Sequence, residues 1–147
     1  MSVRVEPQIK TFLVAEDVRQ EKSNKYIVIG IFSGMIKVKD MPARIPLAFF
    51  MEFYPVPLGQ INIWLRLTLP QGDQVEMNVL ANVKDNSRAM VIPSPRFEVH
   101  IEQEGDLKID VRFDDGEYFA VDNVQISHDP ELTPHLFGNK LDAPHDL

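Results

Sequence analysis

The sequence predicts an all-β fold, an antiparallel β-sandwich of about eight or nine strands, and three observations carry that reading. Apolar residues recur at every second position through most of the chain, and spacing of three and four is never sustained over the length of a helix. Turn-forming residues interrupt the alternation roughly every ten residues, the interval of a sandwich or barrel. The chain has 147 residues, enough for one domain with a real core, and no apolar run approaches the ~20 residues that span a bilayer.

The strands follow in order. Residues 9–19 and 26–32 form the first two, with "KSNK" as the reversal between them. Strands at 35–39 and 47–54 come next, the second confined between Pro42 and Pro46 on one side and Pro55 and Pro57 on the other. In "INIWLRLTL", residues 61–69, Ile61, Ile63, Leu65, Leu67 and Leu69 face one way and Asn62, Trp64, Arg66 and Thr68 the other. "VEMNVLANV", residues 75–83, repeats the pattern after the turn residues "PQGDQ", so the two form a hairpin. With Pro70 opposite Gln74, Leu67 meets Met77, Leu65 meets Val79, and Trp64 meets Leu80 beside Arg66 on the outer face.

Residues 96–103 and 107–113 alternate cleanly around Glu104-Gly105-Asp106 and predict a second hairpin. With Gln103 opposite Leu107, its outer pairs would be Glu102 with Lys108, His100 with Asp110 and Glu98 with Arg112, all complementary in charge. The last strand is 118–126, where Phe119 and Val121 take one phase and Val124 and Ile126 the other, so Asp122-Asn123 marks a bulge or bend. The domain is thus read as residues 1–128. Residues 129–147 form a tail, either loose or docked through Leu136 and Phe137.

Asp114-Asp115-Gly116-Glu117-Tyr118 carries the D-x-G-x-Y spacing of the tyrosine corner and thereby resembles immunoglobulin-like domains. That resemblance implies that the Tyr118 hydroxyl bonds backbone a few residues upstream and pins the turn between two sheets. The same pentapeptide also suits an Asp-Gly hairpin turn.

Several functions are disfavoured by composition. Lys plus Arg number 15 against 22 Asp plus Glu, a formal net charge of −7, whereas nucleic-acid binding draws on a basic face. No cysteine is present, which removes disulfides, thiolate metal sites and cysteine nucleophiles. The first ten residues lack the apolar stretch of a signal peptide, so a cytoplasmic location away from membranes is expected. There is no glycine-rich phosphate loop, and no serine sits in a G-x-S-x-G elbow that could join His100 and Asp110 in a triad. No cofactor is implied.

Three groups of residues remain as candidate sites. Trp64, Arg66 and Leu80 make an outer-face patch of hot-spot composition, suited to a second copy or another protein. Glu16, Asp17, Arg19, Glu21 and Lys25 concentrate charge around the first reversal; alternation separates Glu16 from the others, and Arg19 can pair with Asp17 or Glu21 on its own strand face. Asp114, Asp115 and Glu117 could gather around calcium, although turns select aspartate for backbone reasons alone. His128, Asp129, His135 and His145 offer zinc ligand types at spacings that match no ligand motif. The favoured reading is a non-catalytic protein-binding or assembly module. The alternative is a calcium, zinc or small-ligand binding domain with weak hydrolytic activity.

"AEDVRQE", Lys25, "IVIGIF" and the "IP" at 45–46 together resemble a family of small uncharacterised bacterial proteins, a domain of unknown function. The resemblance covers chiefly the first third of the chain, with Gly116-x-Tyr118 in support. It implies an all-β domain and brings no activity, ligand or catalytic residue. Gly30, inside a run of large apolar side chains, marks a bulge or a close backbone approach.

Overall fold

A computed structural model describes residues 5–132. Its ten strands are β1 (Ile9–Gln20), β2 (Tyr26–Ile31), β3 (Met35–Val38), β4 (Ala43–Phe53), β5 (Gly59–Thr68), β6 (Gln74–Val83), β7 (Met90–Pro93), β8 (Phe97–Ile101), β9 (Gly105–Phe113) and β10 (Phe119–His128), and no helix occurs among the described residues. They form two sheets: β2-β1-β4-β7 with β8 added to β4, and β3-β10-β9-β5-β6. All pairings are antiparallel except that of β3 with β10, which is parallel and departs from the wholly antiparallel expectation.

The core follows the alternation. Ile61, Ile63, Leu65, Leu67 and Leu69 are all buried, and they meet Val14, Leu47, Phe49, Met51 and Phe53 from the first sheet and Leu107, Ile109 and Val111 from β9 in one apolar cluster. Aromatic rings link strands within the first sheet, Phe12 to Phe49 at 5.2 Å and Phe49 to Phe97 at 5.4 Å between centroids, and Phe53 to Phe113 at 5.7 Å connects the two layers. Along β6 the expected inward row is only half covered: Ala81 and Val83 are buried but Val75 is 36% exposed, because β6 is the edge of its sheet.

The β5–β6 hairpin forms, with a register displaced by two residues from the expected one. Leu65 pairs with Met77, Leu67 with Val75, and Trp64 with Asn78; Leu80 falls opposite Asn62. The turn explains the shift. Leu69 and Asp73 bond across it, and Gly72 at φ +102° donates to the Leu69 carbonyl, so the loop closes one pair earlier than Pro70 and Gln74. Parity survives a slip of two, so the buried face is unchanged.

The second expected hairpin does not exist. β8 pairs with β4, from Ala43 opposite Ile101 to Leu47 opposite Phe97, whereas β9 pairs with β10 and β5. The link between β8 and β9 therefore crosses from one sheet to the other, passing Gly105 at φ +141°, where an added Cβ would lie 3.1 Å from Pro70 Cβ. The expected charge pairs are replaced: Asp110 is bonded to Arg66, and His100 stands opposite Arg44 in the register, not opposite Asp110. Alternation specifies which face of a strand is buried, and both β8 and β9 satisfy it in separate sheets.

β7 is a strand that the sequence reading lacked. It continues into β8 along one side of β4, with Pro93 opposite Phe50 and Phe97 opposite Leu47. Between them Pro95 offers no N–H, and Ser94 fills the gap: its N–H donates to the Phe49 carbonyl at 2.8 Å and its hydroxyl accepts from the Phe49 N–H at 2.7 Å. β4 itself begins at Ala43 and so contains Pro46, against the expected start at 47. Up to Leu47 it is paired on one side only, and a proline facing the open side costs no ladder bond.

In β10 the register slips between Ala120 and Asp122, at the change of phase read from the sequence. The tyrosine corner is not formed. Tyr118 precedes β10, and its hydroxyl donates to the Glu76 carboxylate at 2.6 Å instead of to upstream backbone. Asp129 to Leu132 make a turn, the Asp129 N–H donating to the Val38 carbonyl. Leu136, Phe137, His135 and His145 lie outside the described residues.

Candidate functional site

The outward residues of β5, β6 and β9 meet on the open face of the second sheet. β5 lies between the other two strands, and the register sets Trp64 between Asn78 and Arg112, and Arg66 between Glu76 and Asp110. Arg66 bonds Asp110 at 3.2 Å and lies over the Tyr118 ring with 4.1 Å from guanidinium carbon to ring centroid. Arg112 occupies the other side, 5.3 Å from the same Tyr118 ring and 4.9 Å from Trp64. Two guanidiniums thus alternate with two rings, in the order Trp64, Arg112, Tyr118, Arg66. Such contacts are each worth roughly 0.5–1 kcal/mol when exposed and more when partly desolvated.

Both inner members of this stack are fixed. Tyr118 is held by its bond to Glu76, and partial burial together with that bond pushes its hydroxyl pKa up. Arg112 donates through Nη1 to the Asp114 carbonyl at 3.0 Å, while its Nε is buried without a partner among the described residues. Asp114, at φ +50°, is tied to β5 twice: its N–H donates to the Asn62 carbonyl at 2.8 Å and its carboxylate accepts from the Asn62 N–H at 3.0 Å. Asn78 bonds the Asn62 side chain at 3.3 Å. A shallow cleft of about 440 Å³ lined by Asn62, Trp64, Arg112, Asp114 and Asp115 opens beside the stack. Leu80 stands diagonal to Trp64 and is 58% exposed.

The sequence reading placed Trp64, Arg66 and Leu80 on this face and missed Arg112, Glu76, Asp110 and Tyr118. Arg112 had been given to Glu98 through the hairpin that does not form. Outward parity of residues 108, 110 and 112 was visible, and the missing information was which strand lay alongside.

The charged group on the first sheet is a bend. Asp17 and Arg19 pair at 3.0 Å, and that bond holds the Asp17 carboxyl below the usual range. The Glu21 N–H donates to the Lys25 carbonyl and Asn24 turns at φ +64°, which closes the reversal through backbone. Glu16, on the other strand face, is exposed, and its side chain lies across Gly30 at φ +66°, where any Cβ would collide with it. Gly30 is therefore a close approach. In the 114–117 turn the Gly116 N–H donates to the Phe113 carbonyl. Among the described residues no three His, Cys, Asp or Glu come together in a way that could hold a metal ion. His100 and Asp110 stand on different sheets.

Among the described residues no helix is long and apolar enough to cross a membrane. The sequence profile of a family of unknown function (DUF6941) matches residues 10–122, most of the chain, and the protein belongs to that family. No curated protein matches it.

Proposed function

We propose that this member of a family of unknown function is a non-catalytic protein-binding module that engages its partner through the open face of β5, β6 and β9. The observation that carries the reading is the Trp64–Arg112–Tyr118–Arg66 stack. Large amphipathic side chains already held in one conformation lose little freedom on binding, and Trp, Tyr and Arg dominate binding hot spots. Guanidinium groups only donate hydrogen bonds, and Leu80 adds an apolar contact. The face therefore suits a protein loop that offers carbonyl or carboxylate acceptors around one apolar anchor. The strand order fits an immunoglobulin-like scaffold, β1-β4-β8 standing for strands A, B and E and β10-β9-β5-β6 for G, F, C and C′.

A pull-down from cells with the wild-type chain, Trp64→Ala and Leu80→Asp tests this. Partners captured by the wild type are expected to be lost with both variants while thermal melts stay cooperative. Equal capture by all three would sink the proposal.

A further inference from the structure

We infer that the free edge of β2 is a self-association site, where a second copy of the chain adds antiparallel through its own β2. This inference is independent of the β5–β6–β9 face. Among the described residues β2 is hydrogen-bonded to β1 alone, so its other side presents unpaired N–H and C=O groups. Proteins protect such edges with short strands, prolines or charges. β7 ends in Pro93, β3 is four residues long and carries Lys37, and β6 carries Glu76. β2, "YIVIGI", has no charge and no proline.

Its side chains repeat the message. The register sets Ile27, Ile29 and Ile31 beside Arg19, Asp17 and Ala15, and the three isoleucines are 42%, 37% and 51% exposed. Exposed β-branched residues on an edge without charge or proline favour strand pairing, and the left-handed Gly30 at φ +66° is the irregular position along it.

A second copy fits in one register. A two-fold axis normal to the sheet at Ile29 sets Ile29 against its symmetry mate and Ile27 against Ile31, so six isoleucines share one face; on the other face Val28 falls opposite Gly30, which has no side chain. Moving the axis by one residue would set Lys25 against Ile31. Charge permits the union. Asp17 is neutralised by Arg19 within each copy, and the two Asp17 residues would stand three strand spacings apart, roughly 14 Å, beyond the ~8–10 Å screening length. The result is an apolar centre with a polar rim, the usual anatomy of an interface. A pairing of five residues from each copy, 27–31, is smaller than a standard interface, so the dimer population rises with concentration.

Sedimentation equilibrium of the full chain tests this. The mass is expected to rise from 16.8 kDa toward twice that value, 33.6 kDa, as concentration increases through the micromolar range. Ile29→Lys should weaken association at least tenfold, and Trp64→Ala should leave it unchanged. Because the chain has no cysteine, register can be read chemically. Ile29→Cys should form a covalent dimer on mild oxidation. Ile27→Cys alone should not, since its mates would lie about 13 Å apart, whereas a mixture of Ile27→Cys and Ile31→Cys should. A wild-type chain that stays at 16.8 kDa to millimolar concentration, or cross-linking as efficient at residue 27 alone as at 29, overturns the proposal even if Ile29→Lys fails to fold.

Discussion

Trp64 on β5 and Ile29 on β2 both stand on the surface of a sheet, yet their surroundings differ in kind. Around Trp64 the neighbours hold one another: Arg112 lies against its ring, Tyr118 against Arg112, Glu76 accepts from the Tyr118 hydroxyl and Asp110 from Arg66. Around Ile29 nothing is completed. Its flanking isoleucines are exposed, and among the described residues one side of its backbone is unpaired. β5 is a central strand, so cross-strand partners are supplied from two sides by register, whereas among the described residues β2 has a neighbour on one side only. Exposure alone therefore describes neither surface. The first is preorganised within the molecule; the second is left to be finished by another chain.

Substitutions can break or sharpen this contrast. The largest effect is expected at Leu65, the buried neighbour of Trp64 on the opposite face of β5, where Leu65→Ala should cost about 3–4 kcal/mol in denaturant unfolding. Gly30→Ala should cost roughly 1–2 kcal/mol, because φ +66° and the overlying Glu16 both resist a Cβ; chemical denaturation against wild type measures it. Arg112→Ala, which separates the Trp64 and Tyr118 rings, should cost about 1–2 kcal/mol. Arg112→Met should recover part of that loss, since the buried Nε has no partner to lose.

Tyr118→Phe is next, at about 0.5–1.5 kcal/mol for one hydrogen bond. It carries a pH signature. The Tyr118 pKa is raised in the folded chain by burial and then by Glu76, so its contribution is fully present below the unfolded value and is lost as pH rises through the folded one. Ultraviolet titration should show one of the three tyrosines ionising late, and Tyr118→Phe should remove that phase. Smallest of all is Ile27→Thr, expected to change monomer stability by less than about 0.5 kcal/mol while weakening self-association. A large loss of stability there would mean that Ile27 packs within its own chain and that the two surfaces are alike.

What could be read from the chain divides along the same line. Alternation in 61–69 placed five side chains in the core and Trp64 and Arg66 outside, and the change of phase in 118–126 located an irregularity in β10. The charged reversal at 21–25 was legible as a bend, and Asp17–Arg19 as a pair on one strand face. Those are local properties, set by the two-residue period of a strand and by turn chemistry.

Partnership between strands was not local. Complementary charges on β8 and β9 favoured a hairpin, but Asp110 finds its cation in Arg66 across β5 and β9, on a different sheet from His100. Cross-strand ion pairs are worth at most ~1 kcal/mol each, too little to outweigh the burial of Phe97, Val99 and Ile101 against β4. A turn of the expected length placed one residue earlier moved β6 by two residues, and a serine with a proline turned one strand into β7 and β8. The sequence by itself determined which face of each strand is apolar, because side chains alternate whatever the neighbour. Only the tertiary structure decided which strands lie side by side, and hence that Trp64, Arg112 and Tyr118 meet while β2 is left with an open edge.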